Sequence, residues 1–280
     1  MFGYMKEFHE YYLKLLQLAE YEMGTDEKGI AYGYQRPSSH EDLILLREKY
    51  LLERVAGTGD ELSQIKNLTQ WVNERLPHGN VRPPEQVNAL HVLGLSDSEP
   101  IQMNCYVIAT VLNEVFLSPG FHSRRVHCRS YDAYDLDSHV VTLVYSNTLS
   151  KWVCMDGSWN CYLTDDSRIP LSLEEFRERL SSNQPVWVNG ESTETDWSIF
   201  YKGYMAKNMF WFYSPVDSEY NYEARMEKDY CALLPEHFTP IELMREIPVH
   251  QSVQISRNPQ NFWSRPSTIM DKPREKKVMA

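Results

Sequence analysis

Apolar residues recur every three to four positions in the first part of the chain, a pattern typical of amphipathic helices. A first helix is predicted from Tyr4 to Met23. Two more are predicted where a Ser or Thr stands three positions before a Glu, which is the spacing of a capping box. These pairs are Ser38–Glu41, ahead of LILLREKYLLERV, and Thr58–Glu61, ahead of a helix that ends at Pro77. The chain therefore opens with three predicted helices.

From Cys105 onwards the pattern changes from helix to strand. CYVIATVLNEVF predicts a mostly apolar helix, which the Ser-Pro-Gly sequence after it ends. RRVHCRS predicts a short strand, and the β-rich runs SHVVTLVYS and KWVCMDG predict a hairpin across SNTLS. Ser172 and Glu175 predict the start of another helix in LSLEEFRERL. We therefore expect an α+β fold in which the helix that begins at Cys105 packs on an antiparallel sheet.

The predicted organisation is one domain with additions at both ends. Residues 1–57 are expected to form a helical segment packed on the core, and residues 58–266 to form the α+β domain with a C-terminal elaboration. Residues 267–280 are expected to be a disordered tail. The sequence contains no internal repeat and no low-complexity linker.

Charge and composition narrow the class of partner. The formal net charge is -11 and no basic stripe is present, which argues against nucleic acid and anionic membranes as partners. No run of about 18 apolar residues occurs, so no transmembrane helix is predicted, and the acidic N-terminus lacks the pattern of a signal peptide. The five cysteines are sparse and odd in number. They favour free thiols in a reducing cytosol and predict a cytoplasmic protein.

Metal and cofactor motifs are missing from the sequence. The cysteines and histidines show neither CxxC nor HxxxH spacing. The glycines form no phosphate-binding loop. The sequence therefore predicts no metal and no cofactor.

Cys105 stands at a position where a thiol can be activated. Asn104 is a favoured capping residue, so Cys105 is predicted to be the first residue of its helix. At a helix N-terminus, unpaired N–H groups and the helix dipole favour the thiolate and lower the pKa of a cysteine. The same N–H groups are able to bind the oxyanion of an acyl-transfer intermediate. The alternative is that Cys105 is an ordinary buried thiol in an apolar helix.

The predicted hairpin brings a histidine and a carboxylate together. If its strands pair about a centre between Asn147 and Thr148, His139 lies opposite Asp156, with both side chains on one face about 5 Å apart. A slip of one residue would turn the side chains to opposite faces. Such a carboxylate holds an imidazole in one tautomer, which is the role of the third group in a catalytic triad. The alternatives are an ordinary histidine and a turn aspartate before Gly157.

The run from Met103 to Leu163 resembles a bacterial transglutaminase-like domain. It contains, in order, a cysteine that opens a helix, a Gly-centred turn into an Arg-Val strand, a strand histidine and a Trp-bearing strand that ends in aspartate. The later runs LSLEEFRERL, YMAKNMFWFYSP and NPQNFWSRP are similar to a largely uncharacterised bacterial branch, and extend the resemblance to about residues 60–266. The chain departs from the family pattern at Met103, where glycine is frequent, and at Gly157–Ser158, where Pro-Thr is common.

This resemblance implies a papain-like α+β fold, a Cys105–His139–Asp156 triad and chemistry through a thioester acyl-enzyme. We expect a cysteine hydrolase of peptide or amide bonds, with a peptide, a protein or a small amide as substrate. The first alternative is an acyltransferase with an amine acceptor, as in protein crosslinking or biosynthetic amide formation. The second is a non-catalytic binding module on the same fold, which the intact triad disfavours.

Supporting residues are predicted from their positions near the triad. Gln102 and Asn104 are candidates for a side-chain oxyanion donor because they lie close to the nucleophile in sequence. The resemblance adds Trp71, since some family members use an upstream tryptophan near the oxyanion. Five aromatic residues are candidates for the wall of a substrate cleft: Trp159, Tyr204, Phe210, Trp211 and Tyr213. The alternative for the aromatic residues is core packing.

Overall fold

The N-terminal part of the chain is helical. The structure is a computed structural model that describes residues 2–22, 29–135, 137–190, 195–241, 243 and 250–266. The predicted tail, residues 267–280, lies outside the described residues. The first five helices are α1 (Phe2–Leu18), α2 (Glu41–Lys49), α3 (Leu52–Ala56), α4 (Glu61–Arg75) and α5 (Ala89–Leu95).

The second predicted helix is in fact two helices, α2 and α3. Ser38 lies in a 3-10 turn, and α2 begins after His40 with no side-chain cap, so the predicted capping box is wrong. Leu51, between the two helices, has a left-handed backbone with φ 50°. The break lets Leu46 and Leu52 both be buried. In one continuous helix, residues six apart would lie on different faces.

Helix α4 begins at Glu61, but its capping residue is Asp60 rather than Thr58. The Asp60 carboxylate accepts a hydrogen bond of 2.7 Å from the N–H three residues further on. Glu61 instead binds the turn of the hairpin. Its carboxylate accepts hydrogen bonds from the Ser146 hydroxyl at 2.6 Å and from two backbone N–H groups of the turn at 2.9 Å each. The side chain predicted to cap a helix therefore anchors a distant turn.

An eight-stranded sheet forms the centre of the described structure. In spatial order its strands are β10 (Gln251–Ser256), β9 (Lys228–Leu233), β7 (Trp211–Pro215), β2 (Ser123–Arg129), β3 (His139–Ser146), β4 (Lys151–Asp156), β5 (Cys161–Thr164) and β6 (Trp187–Val188). Neighbouring strands are antiparallel except β9 and β10, which are parallel. Two short strands, β1 (Gly33–Tyr34) and β8 (Asp217–Ser218), pair in parallel as a separate ribbon.

Helix α6 (Cys105–Leu117) is the apolar helix predicted from CYVIATVLNEVF. Its residues from Val107 to Leu117 are all buried, which explains why its sequence is apolar on nearly every face. The helix contacts β2 and β3 of the sheet and also helices α2, α4 and α5. The prediction of a helix on an antiparallel sheet is confirmed, and the chain is an α+β protein.

Three further α-helices are α7 (Leu173–Ser181), α8 (Asp196–Asn208) and α9 (Pro259–Phe262). Helix α7 begins with the predicted capping box, because the Ser172 hydroxyl and the Glu175 carboxylate each accept the backbone N–H of the other residue. No helix within the described ranges is long and apolar enough to cross a membrane.

The sheet lies between two layers of helices. On one side, Val141 and Leu143 of β3 pack in a core cluster with Leu16 of α1, Phe176 of α7 and Tyr201 of α8. On the other side, buried residues of β3 and β4 pack in a second cluster with residues of α2 to α6. Residues two apart on a strand share a face. His139 therefore belongs to the face that α8 covers.

Candidate active site

Helix α6 places the Cys105 thiol in its first turn. The Asn104 side chain caps the helix by accepting a hydrogen bond of 3.0 Å from the N–H of Val107, as the sequence predicts. Its Nδ2 donates to the carbonyl oxygen of Val81 at 3.0 Å. Because both ends of this amide bind the backbone, Asn104 fixes the chain before the nucleophile. These contacts give no support to the oxyanion role predicted for it.

The register of the β3–β4 hairpin differs from the predicted one by two residues. The turn held by Glu61 spans residues 147–150, so the strands pair about a centre between Thr148 and Leu149 rather than between Asn147 and Thr148. Asp156 is therefore a diagonal neighbour of His139, and the prediction that the two lie directly opposite is wrong. A shift of two residues keeps both side chains on the same face. Diagonal pairs of long side chains remain within contact distance.

His139 and Asp156 are buried and hydrogen-bonded to each other. The distance from His139 Nε2 to Asp156 Oδ2 is 2.6 Å. The Tyr201 hydroxyl donates to the same Oδ2 at 3.0 Å, and the N–H of Ser158 donates to Oδ1 at 2.9 Å. These donors fix the carboxylate, which in turn keeps a proton on Nε2 and holds the plane of the imidazole. The sequence did not reveal Tyr201, because it comes from the distant helix α8.

The Cys105 thiol and the His139 imidazole shift each other's pKa. Burial alone would raise the pKa of Cys105, but the nearby imidazoles of His139 and His78 lower it to about 6. Burial would lower the pKa of His139, whereas Asp156 and the Cys105 thiol raise it to about 10. Since Asp156 occupies Nε2, the buried Nδ1 is left to exchange a proton with the thiol. In this structure Nδ1 forms no hydrogen bond with the described residues, and the thiol donates to the carbonyl oxygen of Ser138 at 3.8 Å. Between these two pKa values the pair consists of a thiolate and an imidazolium.

The turn after β4 approaches helix α6 closely. A Cβ on Gly157 would lie 2.9 Å from Ile108 Cγ2 and 3.1 Å from Leu112 Cδ2, so a larger residue would push the helix away. The Asn73 amide of α4 donates to the carbonyl oxygen of Gly157 at 2.9 Å. The end of β4 and the helix of the nucleophile are therefore held together. The glycine that departs from the transglutaminase-like pattern has a packing reason in this chain.

Aromatic rings cover the His139 imidazole. Trp159 stacks on it with ring centroids 4.9 Å apart and an angle of 20° between the planes. Tyr204 of α8 meets it edge-on at 5.4 Å, and the Tyr204 hydroxyl donates to Asp137 at 3.2 Å. Trp197 extends this cluster from the other side of Trp159. The structure thus places Trp159 and Tyr204 next to His139, and their role as the wall of a substrate cleft stays a prediction.

The other three predicted cleft residues lie elsewhere. Trp211 is 3 % exposed and packs with Phe210 in a separate core cluster. Its Nε1 donates to the carbonyl oxygen of Ser130 at 3.1 Å. Tyr213 stacks on Tyr230 with centroids 4.5 Å apart. Because β2 lies between β7 and the strand that carries the histidine, the described residues give no support to a cleft role for Trp211.

The remaining oxyanion candidates have other contacts. Trp71 of α4 packs edge-on against Tyr50 at 5.6 Å and beneath the guanidinium of Arg75 at 4.8 Å. These contacts are those of a packing residue. Gln102 is exposed, and its amide lies against the backbone of Gly79, where an added Cβ would be 2.9 Å from Oε1. Neither arrangement supports an oxyanion role.

His78 is a site residue that the sequence analysis missed. Two backbone hydrogen bonds of 2.9 and 3.1 Å pair residues 77–79 in parallel with Met103. This pairing brings the His78 side chain near the Cys105 thiol, whose pKa it lowers. The His78 ring also contacts Trp159, with centroids 5.4 Å apart. No local pattern marks His78, because the pairing joins segments that are far apart in sequence.

The remaining four cysteines differ from Cys105. All four are buried free thiols, and burial raises the pKa of each: Cys128, Cys154, Cys161 and Cys231. Cys105 is half-buried and its pKa is lowered. In the part of the chain that the structure describes, no group of three or more His, Cys, Asp or Glu side chains is arranged to hold a metal ion.

Known proteins show little similarity to this chain. No protein-family model and no curated protein sequence matches it. Among solved structures, it is similar to a crystal structure from Cytophaga hutchinsonii of a protein provisionally named a cysteine protease, with 14% sequence identity and a TM-score of 0.34. The similarity covers 51% of this chain and 47% of the other, so this chain spans about half the length of that structure.

Proposed function

We propose that this protein is a cysteine hydrolase that cleaves peptide or amide bonds through a thioester acyl-enzyme. The observation that carries the proposal is the buried hydrogen bond between His139 and Asp156, beside a thiol whose pKa is lowered to about 6. Such a thiol is ionised at neutral pH, as a nucleophile requires. The resemblance to transglutaminase-like domains adds support, because the same residues carry it.

In the proposed reaction the Cys105 thiolate attacks the carbonyl carbon of the substrate and forms a tetrahedral intermediate. The N–H groups at the start of α6 bind its oxyanion. The His139 imidazolium then gives its proton to the leaving amine, the C–N bond breaks and a thioester remains. The neutral imidazole next takes a proton from water, which attacks the thioester and releases the acid. Asp156 keeps its bond to Nε2 and stabilises the imidazolium in both half-reactions.

A second candidate is an acyltransferase that passes the same thioester to an amine. One observation favours it: His139 is 0 % exposed behind Trp159 and Tyr204. Rings that exclude water from the base also slow hydrolysis of the thioester. An amine that enters between these rings would then compete with water for the acyl group.

The test is a panel of peptide amides and small aryl amides, incubated with and without ethylamine and analysed by mass spectrometry. We expect the free acid to be the main product, and no product from Cys105→Ala. The matched control, Cys231→Ala, removes a buried thiol outside the site and should keep the activity. If the ethylamide forms faster than the free acid, the protein is an acyltransferase rather than a hydrolase. Absence of both product and acyl-enzyme for every substrate would favour the binding module.

A further inference from the structure

The proposed oxyanion hole lacks the side-chain donor that the sequence analysis expected. Asn104 binds the backbone at both ends of its amide. Trp71 packs against Tyr50, and Gln102 is exposed against Gly79. The N–H groups of the helix start remain, but oxyanion holes commonly combine a backbone N–H with a side-chain donor.

We infer that His78 is this donor, and that its imidazole N–H hydrogen-bonds the oxyanion formed when Cys105 attacks a carbonyl carbon. The inference deepens the proposed function and rests on it. Residues 77–79 pair with Met103, two residues before the nucleophile. The His78 side chain therefore leaves the backbone next to the open N-terminus of α6. A substrate oxygen at this point would meet both the helix N–H groups and the imidazole.

The two imidazoles at the thiol have different surroundings, which assigns them different roles. His139 is bound through Nε2 to Asp156, the arrangement of a general base. Among the described residues, no carboxylate forms a hydrogen bond or ion pair with His78. Both rings contact Trp159, at 4.9 Å for His139 and 5.4 Å for His78. His139 therefore serves as the base, and His78 is left to donate.

The segment that carries His78 is fixed before substrate binds. The absence of a side chain at Gly79 lets this segment pack against the residues that precede Cys105. A Cβ at Gly79 would lie 2.9 Å from Gln102 Oε1 and 3.1 Å from Gln102 Cβ. The N–H of Gly79 donates to the carbonyl oxygen of Met103 at 2.9 Å. A donor that is already oriented needs no reorganisation during the reaction, and such donors stabilise an oxyanion most.

Two probes of Cys105 separate an oxyanion donor from a residue that only lowers the pKa of the thiol. Iodoacetamide alkylates the thiolate by displacing iodide, a reaction without an oxyanion. The ester p-nitrophenyl acetate acylates the thiolate through a tetrahedral intermediate and releases p-nitrophenolate. A residue that acts only on ionisation changes both rates by the same factor. An oxyanion donor changes the acylation rate alone once the thiolate is fully formed.

We would measure both rates at about pH 8.5 for the wild type, His78→Ala, His78→Gln and the exposed control His237→Ala. The ratio of acylation rate to alkylation rate should fall about 100-fold in His78→Ala, the lower end of the effect of losing one oxyanion donor. It should return in part in His78→Gln, which keeps an N–H donor, and stay unchanged in His237→Ala. If His78→Ala fails to fold, His78→Leu provides the same comparison, with thermal unfolding as the check.

The outcomes distinguish this inference from the proposed function. A ratio that is equal in the wild type and His78→Ala, with acylation present in both, overturns the role of His78 and leaves the hydrolase intact. Fast alkylation of the wild type with no acylation by any ester or amide overturns the proposed function instead. If the ratio of acylation rate to alkylation rate is lowered in His78→Ala and equally lowered in His78→Gln, His78 acts by packing and not as a hydrogen-bond donor.

Discussion

The interaction between His139 and Cys105 gives a prediction whose size follows from the pKa of the thiol. With both imidazoles present this pKa is about 6, compared with 9.0 for an unperturbed cysteine. At pH 7 the thiolate fraction is then about 0.9, against about 0.01 for an unperturbed thiol. Burial opposes ionisation and His78 still favours it in the variant. Replacing His139 by Asn should therefore slow alkylation of Cys105 at pH 7 by about 10- to 100-fold.

The assay is the rate of iodoacetamide labelling between pH 5 and 9, followed for each cysteine by peptide mass spectrometry. The wild type should reach half of its maximal rate near pH 6, and His139→Asn only above pH 8. The four buried cysteines act as an internal control, because their labelling reports unfolding rather than ionisation. The matched variant is His237→Asn, an exposed histidine with a left-handed backbone that asparagine tolerates well.

One result would refute the reasoning. If His139→Asn labels at the wild-type rate with a midpoint still near pH 6, the thiolate does not depend on this imidazole. The base of the proposed reaction would then have to be sought elsewhere, with His78 as the next residue to replace. A general rise in labelling at all five cysteines would mean that the variant has unfolded, and His139→Gln would take its place.

Three further predictions concern Asp156, Gly157 and Glu61. Asp156→Asn should lower kcat by about 100-fold or more with the fold retained, as judged by circular dichroism. Burial lowers the pKa of His139, but Asp156, together with the Cys105 thiol, raises it to about 10. The stability lost in this variant should therefore be largest below pH 6.5 and shrink as the pH rises through 10, which urea unfolding at about pH 6 and about pH 11 would check. Gly157→Ala should destabilise the protein by about 1–3 kcal/mol, because the added Cβ clashes with α6. The control Gly94→Ala, in an open position of α5, should be neutral or stabilising. Equal urea midpoints for the two variants would contradict this prediction. Glu61→Ala should cost about 1–3 kcal/mol by leaving the hairpin turn without its acceptor, and an unchanged unfolding midpoint would show that water replaces the carboxylate.

Local sequence patterns predicted the elements that carry the proposed chemistry. The apolar run after Asn104 and the capping preference of that residue predicted the helix start at Cys105. The paired strand runs predicted that His139 and Asp156 share a face of one hairpin. The exact pairing was wrong because Glu61, from a different element, holds the turn. Because the register differs by two residues, His139 and Asp156 stay on the same face of the sheet, and their contact was still predicted.

Long-range pairing determined what the sequence analysis missed. His78 reaches the thiol only because its segment pairs with Met103. Tyr201 reaches Asp156 only because α8 packs across the sheet. Trp211 was proposed for the cleft from its aromatic character, but strand order places it in a separate core cluster. A single sequence contains no local signal for such contacts, because they depend on which strand or helix becomes the neighbour.

The order of the site residues along the chain has a consequence for how such a protein can diversify. Cys105, His139 and Asp156 lie within one continuous stretch of helix and strands, from α6 to the end of β4. The rings that cover the imidazole, Trp159 and Tyr204, come entirely from the chain that follows. The residues of the proposed proton transfer and the rings that cover the imidazole thus come from consecutive stretches of the chain. Substitution of Trp159 and Tyr204 should alter which molecules reach the thiol, provided that Ser158 and Tyr201, which fix the Asp156 carboxylate, are kept.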